Sequence, residues 1–204
     1  KTMTRAFFPV NPATEKRLKT YRFHTTADIR RLLKKSQASF ERWKTRTVQE
    51  RADHFSSMSK LLLKEKNNLA KLIVMEMGKP ISEAVAEIEK CSLVCDYFAE
   101  HAHAFLQEEA VKTENKESYV CFNPLGIVLA VMPWNFPFWQ VFRCAVPALC
   151  AGNVIMLKHS NQVPGCSVEI ERLFVQSGFP PAIFTSLLID AEQVKQIIPD
   201  VQAV

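Results

Sequence analysis

The stretch from Gly126 to Asn161, GIVLAVMPWNFPFWQVFRCAVPALCAGNVIMLKHSN, decides the fold of this chain. Ile127 to Met132 is an unbroken apolar run, and Val154 to Leu157 is a second one that ends in Lys158. A strand wetted on one face alternates apolar and polar side chains, whereas a strand covered on both faces is apolar throughout. Both runs are of the second kind. Between them lie a turn with two prolines and an apolar helix, long enough for the right-handed crossover that joins parallel neighbours. The unit reads as β-α-β, and sheets of such units bind ligands just beyond the carboxyl ends of their strands. Those ends carry Trp134, Asn135, Lys158, His159, Ser160 and Asn161.

Working downstream, the alternation continues. A helix runs from about Gly165 to Gln176 and is stopped by Gly178, Pro180 and Pro181. Phe184 to Ile189 is a third apolar strand, Ala191 to Ile198 a short helix, and Val201 to Val204 the opening of a fourth strand. With nothing behind it to cover the sheet, that fourth strand reads as a truncation, and the expected fragment lacks the other half of the fold.

Upstream, the period changes to that of helices. Asn11-Pro12-Ala13-Thr14 is a turn between short extended pieces. Ile29, Leu32, Leu33, Ser36, Phe40 and Trp43 form one helical stripe, with Thr25 or Thr26 as N-cap. Thr47-Val48-Gln49-Glu50 is a capping box, and Phe55, Met58, Leu62 and Leu69 follow on an inner face. Gly78 suits a helix end, and Pro80 suits the first turn of the next helix. There Ile81, Val85, Ile88, Cys95, Phe98, Ala102 and Phe105 trace a seam. Glu117 to Phe122 then reads as a strand, and Asn123 to Gly126 as a turn. The fold class is therefore α/β: a helical layer over residues 1–112, a strand segment over 113–124, and a Rossmann-like, doubly wound parallel sheet over 125–204.

Composition narrows the function. The chain has 204 residues, of which 48% are hydrophobic and 23% charged, enough for a substantial core. Neither a membrane span nor a secretory leader is legible. The net charge of +5 is uneven: residues 1–66 hold 17 basic and 6 acidic side chains, the remainder 9 and 15. A basic first third admits a nucleic-acid binder, but its cations alternate with apolar residues at helical spacing and read as a solvated face. The six cysteines form no CxxC pair and fall mostly in apolar segments, so neither a disulfide framework nor a metal site is expected. A reducing, cytoplasmic setting follows.

The chemistry concentrates in Met132-Pro133-Trp134-Asn135-Phe136-Pro137. Pro137 fits the first position of a helix, which puts Asn135 or Phe136 at an N-terminus whose free N–H groups favour negative charge. Asn135 there can either cap the helix or donate a hydrogen bond to a developing oxyanion. Lys158 and Ser160 can hold a ribose or phosphate. No G-x-G-x-x-G and no Walker A sequence is present.

MPWNFPFWQVFR followed by PALCAGNVIMLKHSN, with NPAT and EMGKPISEA upstream in the same order, resembles the aldehyde dehydrogenase superfamily, and within it the succinate-semialdehyde dehydrogenase branch. The resemblance covers essentially the whole chain. It implies NAD- or NADP-dependent oxidation of an aldehyde, such as succinate semialdehyde, through a cysteine thiohemiacetal. It implies Asn135 as the oxyanion-stabilising amide. Pro133 and Trp134 would line the nicotinamide-ribose passage, Lys158 would bond the adenosine ribose, and Met132, Asn135, Ser160 and Asn161 would also belong to the cofactor site. Arg143, eight residues after Asn135, is similar to an arginine that pairs with the substrate's distal carboxylate, a geometry that guanidinium suits. It further implies that 117–122 belongs to an oligomerisation arm, so that the intact enzyme is a homo-oligomer acting on a small molecule, without nucleic acid or membrane.

Two departures stand out. Many NAD-preferring members carry a glutamate three residues after the lysine, where this chain has Asn161. The family's nucleophilic cysteine, general-base glutamate and Gly-Ser turn fall beyond the fourth strand, and no cysteine here sits in a comparable segment. The expectation is a chain inactive alone; the alternative is a non-catalytic nucleotide-binding fragment.

Overall fold

Thr25 and Thr47 start the first two helices through reciprocal capping boxes with Asp28 and Glu50. The computed structural model describes residues 5–204. Strands β1 (Ala6–Phe7) and β2 (Tyr21–Arg22) form an antiparallel pair. The Asn11 side chain closes the turn between them by accepting from the amides of Ala13 and Thr14. Helix α1 (Thr26–Trp43) buries Ile29, Ser36, Phe40 and Trp43 of the expected stripe, with Leu32 and Leu33 partly covered. Helix α2 (Val48–Met77) ends on Gly78, at φ +80°. A Cβ there would lie 2.6 Å from the Pro12 ring, so position and conformation both require glycine.

Helix α3 (Ile81–Leu106) packs along α2. Its seam departs from expectation at both ends. Ile81 and Phe105 are half exposed, and the buried row is Ala84, Glu87, Ile88, Cys91 and Cys95. The expected strand at Glu117–Phe122 shrinks to β4 (Tyr119–Val120), which pairs with β3 (Glu109–Ala110) in an exposed antiparallel hairpin. Two rungs outside any core are all that local pairing holds.

The main sheet contains β5 (Ile127–Met132), β6 (Val154–His159) and β7 (Phe184–Ser186), all parallel and in that order. Helix α4 (Trp139–Cys150) joins the first two and α5 (Pro164–Gln176) the next two. Consecutive strand residues face opposite sides. The Thr185 hydroxyl lies 3.4 Å from that of Ser36 on α1, and the Ser186 hydroxyl 2.5 Å from that of Ser167 on α5. So α1 covers one face of the sheet and α4 and α5 the other, whereas β5 departs from the doubly covered expectation at its carboxyl end, where Val131 is 49% exposed. The pair α2–α3 packs outside α4 and α5 as a further layer.

After α6 (Ala191–Ile197) and a single 3-10 turn (Ile198–Asp200), the chain crosses to the free side of β5. The expected fourth strand is present there as one parallel bridge, Val128 to Ala203, with the Leu129 amide 2.9 Å from the Ala203 carbonyl. Strand order thus reverses at β5, the switch point where doubly wound sheets open a crevice. No helix among the described residues is long and apolar enough to cross a membrane.

Helix α4 is held at its carboxyl end by two side chains from the helical layer. The buried Arg51 guanidinium donates to the Cys150 carbonyl at 2.8 Å, and the Trp43 indole to the Leu149 carbonyl at 3.0 Å. The Leu149 carbonyl also accepts from the Gly152 amide at 3.0 Å, and a cation at this end complements the helix dipole. Replacing Arg51 by Met should lower unfolding free energy by about 1.5–3 kcal/mol, the range for a buried hydrogen bond to a charged group. Urea titration checks this through a lower midpoint at unchanged slope.

Candidate functional site

The carboxyl ends of β5 and β6 are tied together by one imidazole. His159, the last residue of β6, is buried, and its Nδ1 accepts from the Ser160 amide at 2.9 Å. The ring proton therefore sits on Nε2, which donates to the Pro137 carbonyl at 2.8 Å. The Ser160 amide also donates to the Met132 carbonyl at 3.0 Å. The turn after β5 is thus fastened to the end of β6. Burial pushes the His159 pKa down to about 4, and the nearby Lys158 charge acts in the same direction.

A neutral buried histidine has a stability signature. Between about pH 6.5 and about 4 the unfolded chain binds a proton at this residue and the folded chain does not. Its contribution is complete above about 6.5 and is lost as pH falls toward about 4, roughly 3 kcal/mol in all. His159→Gln keeps an N–H donor but cannot titrate. The difference in unfolding free energy between the two proteins should narrow by that amount over this window, as followed by urea midpoints at each pH.

The amino end of α4 differs from expectation. Pro137 is not its first residue; the helix begins at Trp139, and Pro137 is buried in the preceding turn. Nor are the terminal N–H groups free. Glu87 Oε1 accepts from the amides of Phe138 at 2.9 Å and Trp139 at 3.0 Å. Its Oε2 meets Lys79 Nζ at 2.5 Å, both side chains being almost fully enclosed. The physical reason is the helix dipole, which attracts the nearest carboxylate, and here α3 supplies one from inside the protein.

The same device recurs on α5. Glu76 accepts from the amides of Gly165 at 2.8 Å and Cys166 at 3.0 Å. A Cβ at Gly165 would stand 2.6 Å from that carboxylate. Burial raises the Glu76 pKa, and the two amide hydrogen bonds oppose the rise. Both helix ends that a dinucleotide phosphate would use in a conventional Rossmann unit are occupied by internal carboxylates.

Asn135 stands just outside this arrangement. It is exposed, lies four residues before α4, and makes no side-chain hydrogen bond among the described residues. The helix-cap reading therefore falls, since the residue before α4, Phe138, carries no side-chain cap. What remains is an uncommitted amide three residues beyond β5. Pro133 is exposed beside it, and Trp134 is 47% exposed rather than part of the core. Trp134 lines a cleft of about 430 Å³ beyond β5 and β6, together with Asn161, Gln162, Val163 and Met77.

Arg143 projects from the second turn of α4, exposed and without a salt bridge among the described residues. It shares a second cleft with Val131, Met132, Cys144 and Val204, along the edge of β5 on which Ala203 pairs. The structure thus gathers Trp134 with Asn161 and Met132 with Arg143. Lys158, Ser160, Pro133 and Asn135 line neither cleft. Lys158 is half-buried in β6 opposite Val131, its pKa lowered by burial. The Ser160 hydroxyl accepts from the Gln162 amide at 3.3 Å. All six cysteines are free, and burial pushes the thiols of Cys91, Cys95, Cys150 and Cys166 upward, that of Cys150 to about 12. Those four are packing residues held as thiols.

Comparison with known proteins gives this geometry a setting. The model of the aldehyde dehydrogenase family matches residues 2–204. The chain is 39% identical over 191 residues to "Succinate semialdehyde dehydrogenase [NAD(P)+] Sad" of Escherichia coli, covering 94% of this chain and 41% of that protein. It is 35% identical over 202 residues to the "Succinate-semialdehyde dehydrogenase [NADP(+)]" of Deinococcus radiodurans, covering 98% and 42%. The crystal structure of succinic semialdehyde dehydrogenase from Streptococcus pyogenes with NADP+ superimposes with a TM-score of 0.93 at 28% identity, over 97% of this chain and 44% of that one. The chain spans less than half the length of these relatives.

Proposed function

Because the chain belongs to the aldehyde dehydrogenase family, we propose that it supplies the oxyanion donor, the carboxylate anchor and the ribose contacts of an NADP- or NAD-dependent enzyme that oxidises succinate semialdehyde to succinate. The observation that carries this is the uncommitted Asn135 amide just beyond β5, beside a turn fastened from two elements, α3 and β6.

The overall change takes one aldehyde, one oxidised dinucleotide and one water to one carboxylic acid, one reduced dinucleotide and a proton. When bound, the dinucleotide accepts the hydride from the aldehyde carbon. The chain's own residues act around that carbon. As a nucleophile adds to the carbonyl, its oxygen gains negative charge, and the Asn135 amide donates a hydrogen bond to it. A donor fixed in advance stabilises the transition state more than the ground state. The Arg143 guanidinium pairs with the distal carboxylate of the substrate, which selects a semialdehyde over a neutral aldehyde.

The donor set fits the nucleotide end. Lys158, Ser160 and Asn161 are presented at the carboxyl end of β6, and position 161 carries an amide rather than a carboxylate. An amide accepts a 2′-phosphate that a carboxylate would repel. This agrees with the NADP(+) in the name of the Deinococcus relative. Asn161→Glu should raise the KM for NADP at least about tenfold and leave that for NAD within a small factor, since opposed like charges cost several kcal/mol. Initial rates with both dinucleotides check this. Equal losses with both would sink the assignment of position 161. The function itself is tested by whether the protein from its complete reading frame forms reduced dinucleotide and succinate from succinate semialdehyde.

A further inference from the structure

We propose that Glu87, with Lys79 as its counter-ion, is the positioning residue that sets where Asn135 stands, an inference that rests on the oxyanion reading of Asn135. Glu87 lies on α3, far in sequence from the turn it holds, and its side chain is only 1% exposed. One carboxylate oxygen takes the amides of Phe138 and Trp139, and the other takes Lys79. The Lys79 ammonium in turn lies 3.7 Å from the centroid of the Phe136 ring. Pro137 is fastened separately by His159. Residues 136 to 139 are therefore each held by a named buried group, and Asn135 is the first residue outside their grip.

Glu76 caps α5 from another helix in the same way, so what distinguishes Glu87 is its counter-ion: Lys79 pairs with the second carboxylate oxygen and rests on the ring next to Asn135. A local Asp, Ser or Asn before Trp139 would satisfy the helix amides at no cost in buried charge. Two charges removed from water are retained where removal of either would leave the other uncompensated. The arrangement fixes the backbone at 137–139 and rests a buried ammonium on the Phe136 ring, and an amide donor works only if it is already at the place where charge will develop.

The test is a mutant cycle in the protein from its complete reading frame, with kcat and KM measured for succinate semialdehyde. Glu87→Gln keeps an acceptor for the two amides and removes the charge facing Lys79; Glu87→Ala removes both. Displacing Asn135 should lower kcat about tenfold in the first and about 30-fold in the second, with KM little changed. In an Asn135→Ala background the same changes should cost less than about twofold, because there is no donor left to misplace. A purely structural Glu87 would give the same loss with and without Asn135, and that result overturns the inference. So would full kcat in Glu87→Gln and Glu87→Ala, or failure of both variants to fold. Full kcat in Asn135→Ala overturns instead the oxyanion reading. Absence of activity in the unaltered protein overturns the proposed function.

Discussion

Asn135→Ala is expected to lower kcat by about 10²–10³-fold while KM for the aldehyde stays within a small factor, the signature of losing one oxyanion donor. The size follows from where the residue sits. Its amide has no other hydrogen-bond partner among the described residues and no place in the core, so its removal should leave the fold intact. Stability and rate should therefore separate: an unchanged urea midpoint with a large fall in kcat. Asn135→Asp tests the sign of the interaction. The isosteric carboxylate accepts but does not donate, and it places negative charge beside a developing negative oxygen. It should be at least as damaging as alanine, and a mild effect would contradict the donor role.

The second large effect is one of specificity. Arg143→Ala should lower kcat/KM for succinate semialdehyde by roughly 30- to 150-fold relative to an uncharged aldehyde of similar length, since a hydrogen-bonded pair between charged groups contributes about 2–3 kcal/mol. Arg143→Lys retains the charge but not the planar fork and should recover only part of the loss. Pro147, one helical turn further on, has no N–H to return to the Arg143 carbonyl. The backbone at Arg143 thus has one ladder bond fewer, and its side chain is exposed toward the cleft at the β5 edge. Equal losses for charged and neutral aldehydes would mean that Arg143 serves the fold rather than the substrate.

The parts of this structure that were legible in the sequence are those governed by short-range rules. The span of β5 follows from an apolar run bounded by Gly126 and Pro133, and the starts of α1 and α2 follow from the Thr25 and Thr47 boxes. The doubly wound order follows from the alternation of strand and helix. The parts that were hidden depend on partners distant in the chain. Pro137 marked a helix start by local preference, yet the helix begins at Trp139 because Glu87 and His159 claim the groups around the turn. A glutamate on a helix ordinarily reads as solvated. The available signal was its spacing, since Glu87 falls in one row with Ala84, Cys91 and Cys95. Glu76 is hidden for the same reason, and only the demand for glycine at Gly165 hints at it. Asn135 was legible as a candidate, and only the helix boundary set its cap reading aside.

Asn135 presents a free amide three residues beyond β5, beside a turn fastened by Glu87 and His159. The most direct measurement of its role is the product balance of the protein from its complete reading frame, supplied with succinate semialdehyde and NADP, beside Asn135→Ala as control. Succinate and NADPH are expected in equal amounts, with the control slowed about 10²–10³-fold and equally well folded. Equal rates in the two proteins, or a folded protein that forms neither product with NADP or NAD, would contradict the proposed function.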